Sequence, residues 1–195
     1  MVDILEPMTN NKYEKILLEA AHLINQNGFK ETSFQEIADK VGLHKTSLFH
    51  YFENKEELLL RILEKSTDLV SKNLGKIVTD NELEPEEKLK KAIYNHLMLM
   101  TKFMDDINIY LNELRSLSKK NRVIYIKKRK KYENDFEKII AEMKTKGYFK
   151  RLDAKIVTFG ILGMLNWVGK WYKNDGALTI EEVSNIFYRI LNPVH

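Results

Sequence analysis

The sequence predicts an all-α protein, and three observations carry that prediction. Apolar residues recur every three or four positions along almost the whole chain. Only three prolines, Pro7, Pro85 and Pro193, interrupt its 195 residues. No stretch alternates apolar and polar side chains for more than a few residues, and there is no internal repeat or low-complexity segment.

Composition sets the outer bounds. The length suits one large domain or two small ones, with a core that needs no covalent staple. Cysteine is absent, which excludes disulfides and thiolate chemistry and suits a reducing compartment. Residues 1–10 carry Asp3, Glu6 and Pro7 and no signal-like apolar run. The most apolar segment, Ile156 to Val168, is too short for a bilayer and contains Asn166. The expectation is a soluble cytoplasmic protein that contacts no membrane. A net charge of +4 permits an anionic partner without requiring one.

Taken in order, Tyr13, Leu17, Ala20 and Ile24 mark one face of a first helix, which Gly28 closes in the manner of a C-terminal cap. Thr32 or Ser33 then offers an N-cap, with Glu36 placed three residues after Ser33 to complete a capping box. The helix from Phe34 to Lys40 turns Ile37, Ala38 and Val41 inward. Gly42 makes a turn, and a short third helix covers roughly His44 to Phe52. Asn54 looks like the cap of a fourth helix running from Lys55 into the 70s, with Leu58, Ile62, Leu69 and Leu74 on its apolar side and Gly75 and the stretch TDNELEP marking its end. Further helices are expected at 86–104, 106–118, 121–146, 152–173 and 179–191, about nine in all.

A short helix, a glycine-centred turn and a second short helix make a helix-turn-helix, here at about 33–52. In that geometry the second helix enters the major groove, so its N-terminal residues must be exposed and polar while Leu43, Leu48 and Phe52 pack inward. Lys45 can donate to guanine, and Thr46 can bond a base edge or touch a thymine methyl. Ser47, His50, Tyr51 and Lys55 suit phosphate oxygens, as does Ser33 at the start of the preceding helix. Helical hairpins of this kind also occur in proteins that never meet DNA, so spacing alone leaves a helical protein-interaction adaptor open. Charge does not decide between the two. Residues 1–55 hold six Lys against eight Asp or Glu, so any DNA contact there rests on local placement of cations.

An enzyme is the competing class. The chain has no nucleophile elbow, no glycine-rich phosphate loop and no HExxH pattern. Its five histidines, at 22, 44, 50, 96 and 195, show no metal-ligand spacing. The expectation is therefore no catalytic residue, no metal and no cofactor.

The run GFKETSFQEIADKVGLHKTSLFHYFENKEELL, from Gly28 to Leu59, resembles the signature of the TetR family of bacterial transcriptional regulators. The matching positions are Gly28, Thr32-Ser33, Ile37-Ala38, Gly42-Leu43, Phe49 with Tyr51-Phe52, and Lys55-Glu56 with Leu58. There are departures. Thr46 stands where the family often has a small residue, Phe49 where it usually has Tyr, and His44 where a Ser or Thr commonly caps the recognition helix. The resemblance implies a DNA-binding domain at about 10–70, a ligand-binding and dimerisation domain at 71–195, and a homodimer on a palindromic operator. It implies DNA contacts from Ser33, His44, Lys45, Thr46, Ser47, His50, Tyr51 and Lys55.

It also implies a repressor released by a small hydrophobic effector. His96, Met100, Phe103, Met104, Tyr110, Glu113 and Trp167 are read as candidate cavity lining, although a Met-aromatic stripe at helical spacing is equally a plain core. Lys119 to Lys131 holds eight basic residues in thirteen and no acid. That run is either a solvated helix face or a docking patch, through Arg122 and Arg129 among others, for the phosphates of an acyl-coenzyme A. The C-terminal half is similar to a branch of the family that represses fatty-acid or sterol catabolism and responds to acyl-CoA. A multidrug-efflux regulator with a different apolar ligand is the alternative. The last two helices either close the protomer's own core or form an isologous dimer contact through Phe159, Gly163, Trp167, Trp171, Val183, Phe187 and Ile190.

Overall fold

The structure, a computed structural model, describes residues 12–102, 109 and 113–191. Among the described residues it is all-α, with no strand. The helices are α1 (Lys12–Asn27), α2 (Phe34–Val41), α3 (Lys45–Leu48), α4 (Lys55–Thr79), α5 (Pro85–Lys102), α6 (Lys119–Thr145), α7 (Ala154–Trp171) and α8 (Ile180–Leu191). A 3₁₀ turn covers Leu114–Ser116. Residues 106–108 and 110–112 of the helix expected at 106–118 lie outside the described residues.

One boundary agrees with the sequence expectation and one differs. α4 passes through Gly75, one of its two expected end marks, and ends at Thr79, where the other, TDNELEP, begins. A glycine inside a helix costs about 1 kcal/mol, but the fully buried Leu74 beside it anchors that turn in the core. α3 is only four residues long. Beyond it the chain tightens into single turns, with Tyr51 N–H on Leu48 O at 3.0 Å and Phe52 N–H on the same oxygen at 2.9 Å.

The described residues form two compact units, neither contiguous in sequence. The first comprises residues 12–65 together with 109 and 113–125. Ile16, Ala20 and Ile24 of α1, Ile37 and Ala38 of α2, Leu48, Phe52, and Leu58, Ile62 and Leu63 of α4 form its core. Leu117 and Tyr125 complete it, so this unit draws on residues from beyond α4. Gly28 at φ +87° and Gly42 at φ +71° make its two sharp turns, where a Cβ would clash with its own backbone.

The second unit comprises residues 66–102 and 126–191. Leu89, Ile93 and Leu97 of α5 meet Phe136, Ile139, Ile140 and Met143 of α6 and Ile161, Leu165 and Val168 of α7. α5 packs on both α8 and α7. A Cβ on Gly169 would come within 3.1 Å of the Met100 methyl, so α5 approaches α7 closely there.

Candidate functional site

The helix-turn-helix is assembled from local signals. Ser33 is the N-cap of α2: its Oγ accepts from Glu36 N–H at 3.2 Å, and its own N–H donates to Glu36 Oε2 at 2.6 Å. Those bonds hold the Glu36 carboxyl below the usual carboxylate range. Thr32, the other cap candidate, is buried and donates its hydroxyl to Gly28 O at 2.9 Å. Gly42 ends α2 in the left-handed conformation, and Leu43 N–H closes onto Ala38 O at 2.9 Å. Extended backbone at His44 then starts α3, whose side chain makes no cap hydrogen bond.

This geometry sorts the side chains. Leu48 and Phe52 are buried at 0% and 1% exposure, and Tyr13 stacks on Phe52 at 5.4 Å. His44, Lys45, Thr46, His50 and Tyr51 are exposed, and Ser47 is half-buried. Phe49, absent from the sequence-derived set, is exposed on the same side of the turn. Its signal was the four-residue spacing from Lys45.

Lys55 requires a correction. Its ammonium is not free for a phosphate: it donates to the carbonyls of Phe29 (2.7 Å), Lys30 (3.1 Å) and Thr32 (2.8 Å). It ties the start of α4 to the loop before α2. On the same loop, Glu113 Oε1 accepts from Phe29 N–H at 3.1 Å. Nearby, Glu56 Oε1 accepts from Ser118 N–H (2.8 Å) and Asn121 Nδ2 (2.6 Å), which holds residues 118–121 to the head and its own carboxyl below the usual range.

The expected effector residues are distributed over both units. Phe103, Met104 and Tyr110 lie outside the described residues. Glu113 and Arg122 belong to the first unit, whereas His96, Met100, Arg129 and Trp167 belong to the second. The Arg122 guanidinium spans the carbonyls of Arg115 and Leu117, both at 3.1 Å, and so caps a chain turn. Arg129 Nε donates to Glu133 at 2.7 Å. Within the basic run Val123 and Ile126 are exposed, and Tyr125 is the buried anchor. Trp167 is 65% exposed.

His96 is buried. Its Nδ1 lies 2.8 Å from the Tyr132 hydroxyl and its Nε2 3.3 Å from Asn166 Oδ1. Asn166 Oδ1 can only accept, so the neutral ring donates from Nε2 and accepts the Tyr132 proton at Nδ1. Burial pushes the His96 pKa down to about 4, opposed weakly by the bond to Asn166, and raises that of Tyr132. Beside it on α5, Asn95 is buried and its Nδ2 has no partner among the described residues.

α7 and α8 leave an apolar stripe uncovered. Ile156, Phe159, Trp167 and Trp171 on α7 and Ile186 and Ile190 on α8 are all 43% exposed or more. A Cβ on Gly160 or Gly163 would meet nothing within 4 Å. Val183, expected on this face, is 2% exposed and belongs to the protomer core, and Phe187 also packs largely against that core. α8 packs on α5.

Residues 16–62 match the family model described as bacterial regulatory proteins, tetR family. Residues 82–192 match the tetracyclin repressor-like C-terminal domain. The chain belongs to the TetR family. As a TetR-family protein it is a ligand-responsive, DNA-binding transcriptional regulator, and the family is one of regulators, not enzymes. The chain is 31% identical to AibR, whose crystal structure was solved in complex with isovaleryl coenzyme A and operator DNA; the match covers 95% of this chain and 100% of that one, with a TM-score of 0.83. PfmR from Thermus thermophilus is 29% identical over 92% of this chain and 98% of that one, with a TM-score of 0.83. The transcriptional repressor KstR2 of Mycobacterium tuberculosis is 26% identical, covering 97% of this chain and 96% of its own length. No helix among the described residues is long and apolar enough to cross a membrane.

Proposed function

We propose that this regulator represses transcription as a homodimer on a palindromic operator and is released by an acyl-coenzyme A. The observation that carries the DNA half of this reading is the sorting of the helix-turn-helix: Lys45 and Thr46 stand exposed at the N-terminal end of a recognition helix while Leu48 and Phe52 hold it from behind. Ser33, His44, Ser47, His50 and Tyr51 surround them as backbone contacts. Lys55 serves as scaffold, not as a contact. The exposed stripe of Ile156, Phe159, Trp167, Trp171, Ile186 and Ile190 supports an isologous dimer, because an uncovered apolar face of this length is costly in water.

The effector reading rests on the likeness to AibR, with its bound isovaleryl coenzyme A, and to KstR2. Within the chain it is supported by the buried pair Asn95 and His96 beside Met100, a polar pair in an apolar setting on α5. Release requires the effector to bind the conformation with wrongly spaced heads more tightly than the operator-bound one.

The test is fluorescence anisotropy on the duplex upstream of the protein's own gene, at fixed salt, with and without isovaleryl-CoA and a long-chain acyl-CoA. Saturable binding that either thioester weakens at least tenfold is expected. Binding that neither thioester changes sinks the acyl-CoA assignment and leaves DNA binding standing. Lys45→Ala and Thr46→Ala should weaken operator binding more than binding to random duplex.

A further inference from the structure

Phe49 has no place in the reading above, and its surroundings ask for one. It follows α3 with helical backbone at φ −69° and ψ −12°, so residues 45–49 make one continuous turn. Phe49 therefore stands on the same face as Lys45, four positions back, and Thr46, three back. The ring is 52% exposed. It cannot fold inward, because Leu48 and Phe52 already fill the core behind it. It is not loose either. It leans on Phe34, the largely buried first residue of α2, with ring centroids 5.3 Å apart at an interplanar angle of 58°. A braced apolar ring on the base-reading face is set for contact without an ordering cost.

The chemistry it meets there is limited. On the floor of the major groove the C5-methyl of thymine is the one bulky apolar group among the hydrogen-bond donors and acceptors that distinguish the base pairs. A phenyl ring has neither donor nor acceptor to offer a phosphate. Residues 1–55 are also net acidic, with six Lys against eight Asp or Glu, so attraction to phosphate contributes less here than in a basic head. We infer that Phe49 is a specificity-determining residue that reads a thymine methyl in each operator half-site. The inference rests on the proposed DNA-facing placement of residues 44–51.

The experiment starts from a duplex selected by the full-length protein out of a random pool. Each thymine of that duplex is replaced in turn by deoxyuridine, which deletes only the methyl. Affinity is measured by anisotropy at several salt concentrations for the wild type and for Phe49→Ala. Loss of one methyl contact corresponds to about fourfold in affinity. The expected result is a loss of about that size at one thymine per half-site for the wild type, and none at that position for Phe49→Ala. The slope of log affinity against log salt should be the same for both proteins. A wild type indifferent to every deoxyuridine overturns the inference, as does a methyl effect that persists in Phe49→Ala. So does a slope reduced by about 1 in the variant, which marks a lost phosphate contact. Thermal melting checks that the variant folds; if Phe49→Ala does not, Phe49→Gln keeps the length without the apolar surface and carries the same comparison. A pool that enriches no duplex overturns the DNA-facing placement itself, which distinguishes that failure from the others.

Discussion

Lys55 holds Phe29 twice: its ammonium is 2.7 Å from the Phe29 carbonyl oxygen and 4.6 Å from the centre of the Phe29 ring. With the carbonyls of Lys30 and Thr32 also bound, one side chain fixes the loop that sets the angle of α2. Replacing it by Met should destabilise the head by about 2 kcal/mol, the scale of a lost charged hydrogen bond. Urea unfolding measures this. Operator affinity should fall with no change in salt slope. A slope lower by about 1 would show that Lys55 contacts phosphate after all.

Ser33 caps α2 through reciprocal bonds with Glu36. Ser33→Ala should cost about 1 kcal/mol of stability, and Ser33→Asp, which retains an accepting oxygen, should recover most of it. Denaturant midpoints for the two variants check this. Equal losses in both would mean that the hydroxyl serves some purpose other than capping.

His96 is neutral in the folded protein, with its pKa pushed down to about 4. An unfolded chain binds the proton near pH 6.5, so between those values the unfolded state holds more protons than the folded one. The stability that depends on a neutral His96 is fully present above pH 6.5 and is lost as pH falls towards 4. The loss is on the order of 3 kcal/mol. Stability of the wild type and of His96→Gln, measured by urea unfolding from pH 7.5 to 4.5, should show a steeper decline for the wild type. Parallel curves would contradict the burial argument.

Trp167 and Ile190 are 65% and 61% exposed on the apolar stripe, whereas Val183 is 2% exposed. Trp167→Glu and Ile190→Glu should shift sedimentation from dimer to monomer with little loss of protomer stability. Val183→Ala should do the reverse, costing about 2 kcal/mol of stability through lost burial and a residual cavity. A monomeric wild type would remove the dimer proposal, and with it the palindromic operator.

The elements closest to short-range signals were the most legible. Ser33 with Glu36, Gly28 and Gly42 are local instructions, each read within four residues of itself, and the structure uses all three as expected. Helix periodicity likewise marked Ile37, Ala38, Leu48 and Phe52 as core. Gly75 shows the limit, because a breaker signal was overridden by the burial of its neighbour Leu74. Phe49 shows another, since only the structure reveals an exposed ring braced on Phe34 beside the buried Leu48 and Phe52.

By itself, the sequence determined the all-α class, the helix-turn-helix and the exposure of Lys45 and Thr46, because those follow from spacing and caps that act along the chain. Only the tertiary structure decided which charges are already spent. Lys55 is committed to the carbonyls of residues 29, 30 and 32, Arg122 to those of 115 and 117, and Glu56 to residues 118 and 121. It also decided that Val183 faces inward while Ile190 faces out. The reason is the same in each case: a charged or apolar side chain is allotted by whichever partner the fold brings within reach, and for Lys55, Glu56 and Glu113 that partner lies 23 to 84 residues away.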